Sequence, residues 1–207
     1  MNRRIIMIAL GALVAGAFVL VYAEGDKGTL QRISAATASG LDVAVTGATQ
    51  APPPAGAPQV LYDFNALPDP VKRMLTSIAG AAESGNIEAM RTVFESNELK
   101  PMVTTSFVDD PIAFWKKASA DGTGRDVLAA MLNVLSSGYV RMGKGKDEIF
   151  VWPYFAETDL AKLTPAQEVE LYRIVPPELA LAMKTSGKYS YYRLGVSPTG
   201  VWQYFLQ

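Results

Sequence analysis

Twice in its C-terminal third this chain changes its apolar period from helical to alternating, each time around a short glycine-bearing turn. Tyr139 to Met142 and Glu148 to Phe155 flank Gly143-Lys144-Gly145-Lys146-Asp147. Lys188 to Val196 and Val201 to Leu206 flank Ser197-Pro198-Thr199-Gly200. In an extended backbone successive side chains point to opposite sides, so two alternating runs joined by a tight turn read as a hairpin. Two antiparallel β-hairpins make a four-stranded sheet. The expected fold class is α+β, because the strand–helix alternation of a parallel sheet is missing.

The helices to pack on that sheet carry their own start and stop signals. Asp69 is expected to cap the first, with Pro70 at the first helical position, where its missing N–H costs nothing. Val71, Leu75, Ile78, Ala79 and Ala82 then follow helical spacing as far as Gly85. Asn86 caps a second helix with Ile87, Met90, Val93 and Phe94 inward, and Asp109-Asp110-Pro111 opens a third carrying Ile112, Phe114 and Trp115. Beyond the turn Asp121-Gly122-Thr123-Gly124, Val127, Leu128, Met131, Leu132, Val134 and Leu135 make a strongly apolar helix closed by Gly138. Thr164-Pro165-Ala166-Gln167 is a capping box. Pro176-Pro177 breaks the helix that follows and seeds another, which Gly187 ends. About five to six helices are expected in a globular domain over 61–207.

Ahead of that domain, Met1-Asn2-Arg3-Arg4 precedes an uncharged run from Ile5 to Ala23, the arrangement of a secretory signal. The run also approaches the roughly 20 residues that span a bilayer. Segment 1–23 is therefore either a cleaved signal peptide or a retained N-terminal membrane anchor. Both place the rest of the chain in the periplasm or another extracytoplasmic space, released or tethered to the inner membrane through residues 5–23. Residues 24–60 are rich in Ala, Gly, Ser, Thr and Pro and end in Ala51-Pro52-Pro53-Pro54-Ala55-Gly56-Ala57-Pro58. They have little to bury, and read as a disordered linker.

Composition narrows the chemistry. The chain has no cysteine and no histidine, which excludes disulfides, thiolate or imidazole metal sites, and the histidine-based hydrolases. Its net charge of -1, from 19 basic and 20 acidic residues, supplies no field to steer it onto nucleic acid. Asp109-Asp110 reads as a helix cap and a solvated charge. Asp121-Gly122-Thr123-Gly124-Arg125-Asp126 fails as a calcium loop, because Leu132 stands where a glutamate is required. The lysines beside glycines at 144, 146 and 188 lack the frame of a phosphate loop. Glu168 and Glu170 read as an exposed helix face. No catalytic residue, metal ligand or cofactor is expected.

The sheet itself is unusual. Pairing Val196 with Val201 puts Tyr192, Leu194, Val196, Val201, Gln203 and Phe205 on one face, and Tyr189, Tyr191, Arg193, Trp202, Tyr204 and Leu206 on the other. In the first hairpin Ile149, Val151 and Phe155 oppose Phe150, Trp152 and Tyr154. A sheet with one wet face alternates apolar with polar, and here neither face is polar. Two readings stay open. Either helices cover both faces and the aromatics are packing, or the tyrosine- and tryptophan-rich face lines a groove with Arg193 as a charged handle. On the second reading the ligand-binding residues are Trp152, Tyr191, Arg193, Trp202 and Tyr204, and the partner is an envelope protein, peptide or glycan.

Val151-Trp152-Pro153-Tyr154-Phe155, then Leu163-Thr164-Pro165 and the hairpin from Lys188-Tyr189 to Phe205, resemble an uncharacterised family of exported bacterial proteins. The likeness covers roughly Leu67 to the end and implies no activity. Ala81-Ala82-Glu83-Ser84-Gly85-Asn86-Ile87-Glu88-Ala89-Met90 also looks like the opening helices of the NTF2-like superfamily of α+β cones. Gly200-Val201-Trp202-Gln203-Tyr204-Phe205 looks like that superfamily's last strand. This second resemblance implies a pocket inside the cone without naming its ligand. The expected function is a non-catalytic ligand- or partner-binding domain of the cell envelope. The alternatives are a carboxylate-dependent hydrolase and a structural subunit of an envelope complex.

Overall fold

Both hairpins form in the computed structural model, which describes residues 58–207. Segment 1–23 and nearly all of the linker therefore lie outside the described residues. The strands are β1 (Val140–Met142), β2 (Ile149–Trp152), β3 (Arg193–Val196) and β4 (Trp202–Leu206). They make one four-stranded sheet in the order β1-β2-β3-β4, with every neighbouring pair antiparallel. Around it stand α1 (Asp69–Glu83), α2 (Met90–Ser96), α3 (Pro111–Ala118), α4 (Arg125–Leu135), α5 (Pro165–Ile174) and α6 (Pro177–Ser186). The class is α+β.

Most of the helix signals act as their chemistry requires. The Asp110 carboxylate accepts from the N–H groups of Ile112 and Ala113, and the reciprocal capping box of Thr164 and Gln167 is complete. Asn86 accepts from Glu88 N–H, but it caps a 3-10 turn, Ile87–Ala89, that leads into α2, whose own first turn has no side-chain cap. The cap of α1 also differs from expectation. Pro68 occupies the position before α1, and Asp69 lies inside the helix, where its carboxylate meets Lys72 Nζ at 2.7 Å.

Two strands are shorter than the alternation suggests. β2 stops at Trp152 because Pro153 has no N–H to donate, and the chain turns into a 3-10 segment, Tyr154–Glu157. β3 begins only at Arg193; before it the Tyr189 hydroxyl donates to the Tyr192 carbonyl at 2.9 Å and holds 189–192 in a bend.

The pairing across the last turn also differs. Val196 faces Trp202 rather than Val201, while Gly195 faces Tyr204, so Gln203 is an extra residue in a β-bulge. The extra residue reverses the side to which Trp202 points. It joins Leu194, Val196 and Phe205, and of β4 only Tyr204 and Leu206 keep the face that carries Arg193 and Gly195.

Helices cover both sides. The face carrying Phe150, Trp152, Leu194, Val196, Trp202 and Phe205 packs against apolar residues of α1 to α4. The face carrying Val140 and Val151 packs with Tyr154, Phe155 and Tyr189 against Leu171, Ile174, Ala180 and Met183 of α5 and α6. Covering both faces explains why neither alternates with polar residues.

The sheet's edges are closed as well. At β4 the Asn97 side chain imitates a strand: its Oδ1 accepts from Trp202 N–H at 2.9 Å and its Nδ2 donates to the Trp202 carbonyl at 2.8 Å. One step along, Met102 N–H donates to the Gln203 carbonyl at 2.9 Å and its carbonyl accepts from Phe205 N–H at 2.8 Å. Just ahead of β1, Leu61 and Tyr139 exchange both backbone bonds at 2.8 Å. Edge strands left open recruit other chains, and these contacts narrow the opening. Asn97→Ala strands two polar groups of Trp202 together, so it should cost about 2–3 kcal/mol. A lowered urea midpoint with an unchanged slope is the expected readout; an unchanged midpoint would show that water replaces the amide.

Candidate functional site

Arg193 is the first residue of β3, opposite Leu206, and it is half-buried on the face that also carries Tyr204. Long cations at this depth normally have a carboxylate partner. Lys72, Lys116 and Lys184, the other half-buried cations among the described residues, meet Asp69, Glu88 and Glu168 at 2.7, 2.5 and 2.6 Å. Arg193 has no ion pair and no side-chain hydrogen bond among the described residues.

Two tyrosines share its face. The Tyr204 ring lies over Gly195, where a Cβ would stand 2.5 Å from the ring, so glycine is required for this placement. Burial pushes the Tyr204 phenol up to about 12; the Arg193 charge works against that rise and Glu157 adds to it. Tyr191 packs at the margin of the second cluster, and burial, then the charge of Asp126, raises its phenol. Both rings are half-buried, and neither hydroxyl has a protein hydrogen bond among the described residues. A guanidinium without a partner among the described residues, close enough to Tyr204 to act on its phenol, can accept a small anionic or polyhydroxylated group.

The two tryptophans do not join this surface. Trp202 is 0% exposed, its ring stacked on Phe94 at 5.3 Å and its Nε1–H donating to the Tyr204 carbonyl. The five residues grouped by the sequence thus divide, with Tyr191, Arg193 and Tyr204 on one side and Trp152 and Trp202 on the other. Trp152, 3% exposed, is the floor of an apolar groove of about 370 Å³ between α1, the end of α4 and Phe64. A second hollow, about 340 Å³, lies between Asn86 and Thr123, but its Lys116 is committed to Glu88.

The carboxylates are placed as structural acceptors. Asp110 receives two N–H groups and both ends of the Arg91 guanidinium, at 3.2 and 2.9 Å. Asp121 and Asp126 converge on the Ser119 hydroxyl, yet Thr123 holds Asp121 down to about 2. Burial works upward on Asp126, but Ser119 and the N–H groups of Ala120 and Val127 outweigh it. Lys72 holds Asp69 down, Lys116 and Arg91 hold Glu88 down, and Lys162 holds Asp159 down. A general acid needs a carboxyl moved the other way. Among the described residues no three acidic side chains gather to hold a metal ion, and no helix is long and apolar enough to cross a membrane.

Sequence reasoning missed Glu170, which is no simple exposed face. Its Oε2 accepts from the hydroxyls of Tyr62 and Tyr154 at 2.9 and 3.1 Å, and its Oε1 from Gly138 N–H at 3.1 Å. These bonds lock the segment entering the domain to α5. No local signal could have found them, because their partners are 16, 32 and 108 positions away. Glu168 likewise points at Lys184 of α6 rather than at solvent alone.

The fold is a four-stranded antiparallel sheet clad in helices on both faces, and Arg193 is its one half-buried cation without an ion pair among the described residues. No family model, curated protein or solved structure matches the chain.

Proposed function

We propose that the chain is an exported, non-catalytic binding domain of the cell envelope that engages its ligand through Arg193, Tyr191 and Tyr204. One observation carries the reading: Arg193 alone among the half-buried cations described has no partner of its own. Holding an uncompensated charge in a sheet costs stability, and proteins retain such groups where function uses them. The downward-held carboxylates favour binding over hydrolysis. The Arg3-Arg4 leader and its apolar run support export.

A second reading, a structural subunit of an envelope complex, draws on the loop that covers β4. There Phe107 is 87% exposed, with Leu99 and Met102 also open.

The two readings separate by where ligands land. The isotope-labelled full chain, recovered from the envelope fraction, is titrated with a panel of envelope glycans and peptides while its amide resonances are followed. Shifts at Arg193, Gly195 and Tyr204 support the proposal. Shifts confined to Met102 and Phe107, or to the Trp152 groove, reject it, and recovery from the cytosol rejects export. Arg193→Met keeps the apolar stem, so it should leave stability within about 0.5 kcal/mol of the native value, or raise it, while abolishing binding. A structural arginine would lose stability instead.

A further inference from the structure

We infer that the Arg193 surface takes a carboxylate-bearing sugar ring, a uronic-acid unit of an acidic saccharide; this rests on the reading of that surface as the binding face. The cation sets the charge of the ligand. A guanidinium is a planar fork that matches a carboxylate with two parallel hydrogen bonds, and the Arg193 fork has none among the described residues.

The flanking groups set the rest. Tyr204 packs over Gly195 and Tyr191 edge-on against Tyr192, and both are half-buried with hydroxyls that have no protein partner among the described residues, which suits a ring bearing several hydroxyl groups. Tyr204 stays neutral far above physiological pH, so it donates to an anion without repelling it. Glu157 lies near enough to Tyr204, and Asp126 near enough to Tyr191, to influence their phenols, and those negative charges disfavour a multiply charged phosphate over a single carboxylate.

The edges of the sheet argue against an extended peptide. Peptides bind sheets chiefly by adding a strand, with main-chain hydrogen bonds supplying the affinity. Asn97 and Met102 occupy the β4 edge beside this surface, and Leu61 pairs with Tyr139 just ahead of β1. A compact ligand that needs no backbone ladder fits what remains.

The test uses the full chain with three probes: tetragalacturonate, its methyl ester, and triglutamate. Tetragalacturonate should shift the resonances of Arg193, Gly195 and Tyr204, and the ester should bind about 10- to 100-fold more weakly, the effect of losing a charge-assisted pair. Arg193→Gln should bring the acid to the affinity of the ester and leave the ester unchanged. Equal binding of acid and ester at this surface overturns the carboxylate assignment but leaves the binding face standing. Triglutamate binding there as tightly as the saccharide overturns the sugar. Tetragalacturonate landing elsewhere, or failing to bind, overturns the inference; landing elsewhere also counts against the binding face itself.

Discussion

Trp202→Ala should cost the domain about 3–5 kcal/mol, against the roughly 5–15 kcal/mol that holds a typical domain together. The size of the loss follows from its surroundings. The indole is 0% exposed, stacked on Phe94 with planes 21° apart, 6.4 Å from the Trp115 ring, and hydrogen-bonded through Nε1 to the Tyr204 carbonyl. Alanine removes those contacts and leaves a cavity between the sheet and the helices, and rigid neighbours can close only part of it. With a urea slope of about 1–3 kcal/mol per molar, the midpoint should fall by roughly 2 M. The same measurement tests the bulge. With Trp202 opposite Val196 the side chain is inside; with the register slipped by one it would stand with Tyr204. A loss under about 1 kcal/mol would place it there and bring it back to the surface proposed to bind.

That slipped register is where the sequence stops being legible. The hairpins, the capping box at Thr164 and the Asp110 cap could all be read because each depends on residues a few positions apart. A bulge is different: one extra residue, Gln203, moves Trp202 across the sheet while the alternation of the strand looks unbroken. The end of β2 could have been read, since Pro153 cannot extend a ladder, but the apolar Tyr154 and Phe155 hid it. Both instead fill the second cluster from a 3-10 turn. Of the candidate site, Arg193, Tyr191 and Tyr204 were named from composition of the face, and only their separation from the tryptophans needed coordinates. Glu170 and Asn97 were invisible for a single reason. Each satisfies backbone or hydroxyl groups about a hundred residues away, and no periodicity reports that.

The buried phenols make the domain sensitive to alkali. Burial is the largest cause raising Tyr62, Tyr154, Tyr189 and Tyr204 above the ordinary 10.0, to about 12 for Tyr62 and Tyr204. For Tyr62 and Tyr154 the negative charge of Glu170 adds to it. A group whose folded pKa lies above its unfolded value favours the fold fully below the unfolded value, and loses that contribution as pH climbs through the folded one. The stability linked to these phenols is therefore intact below pH 10 and drains away as pH rises toward 12 and beyond. Tyr204 alone accounts for on the order of 2–3 kcal/mol, while half-exposed Tyr62 contributes less because solvent screens it. Tyr154 and Tyr189 sit deeper and should ionise only as the structure opens. Phenolate absorbance and tryptophan emission, followed together up the pH scale, should change in one cooperative step near pH 11–12. If every phenol ionised near pH 10 while the emission of buried Trp152 and Trp202 stayed native, the tyrosines would not be packed as described.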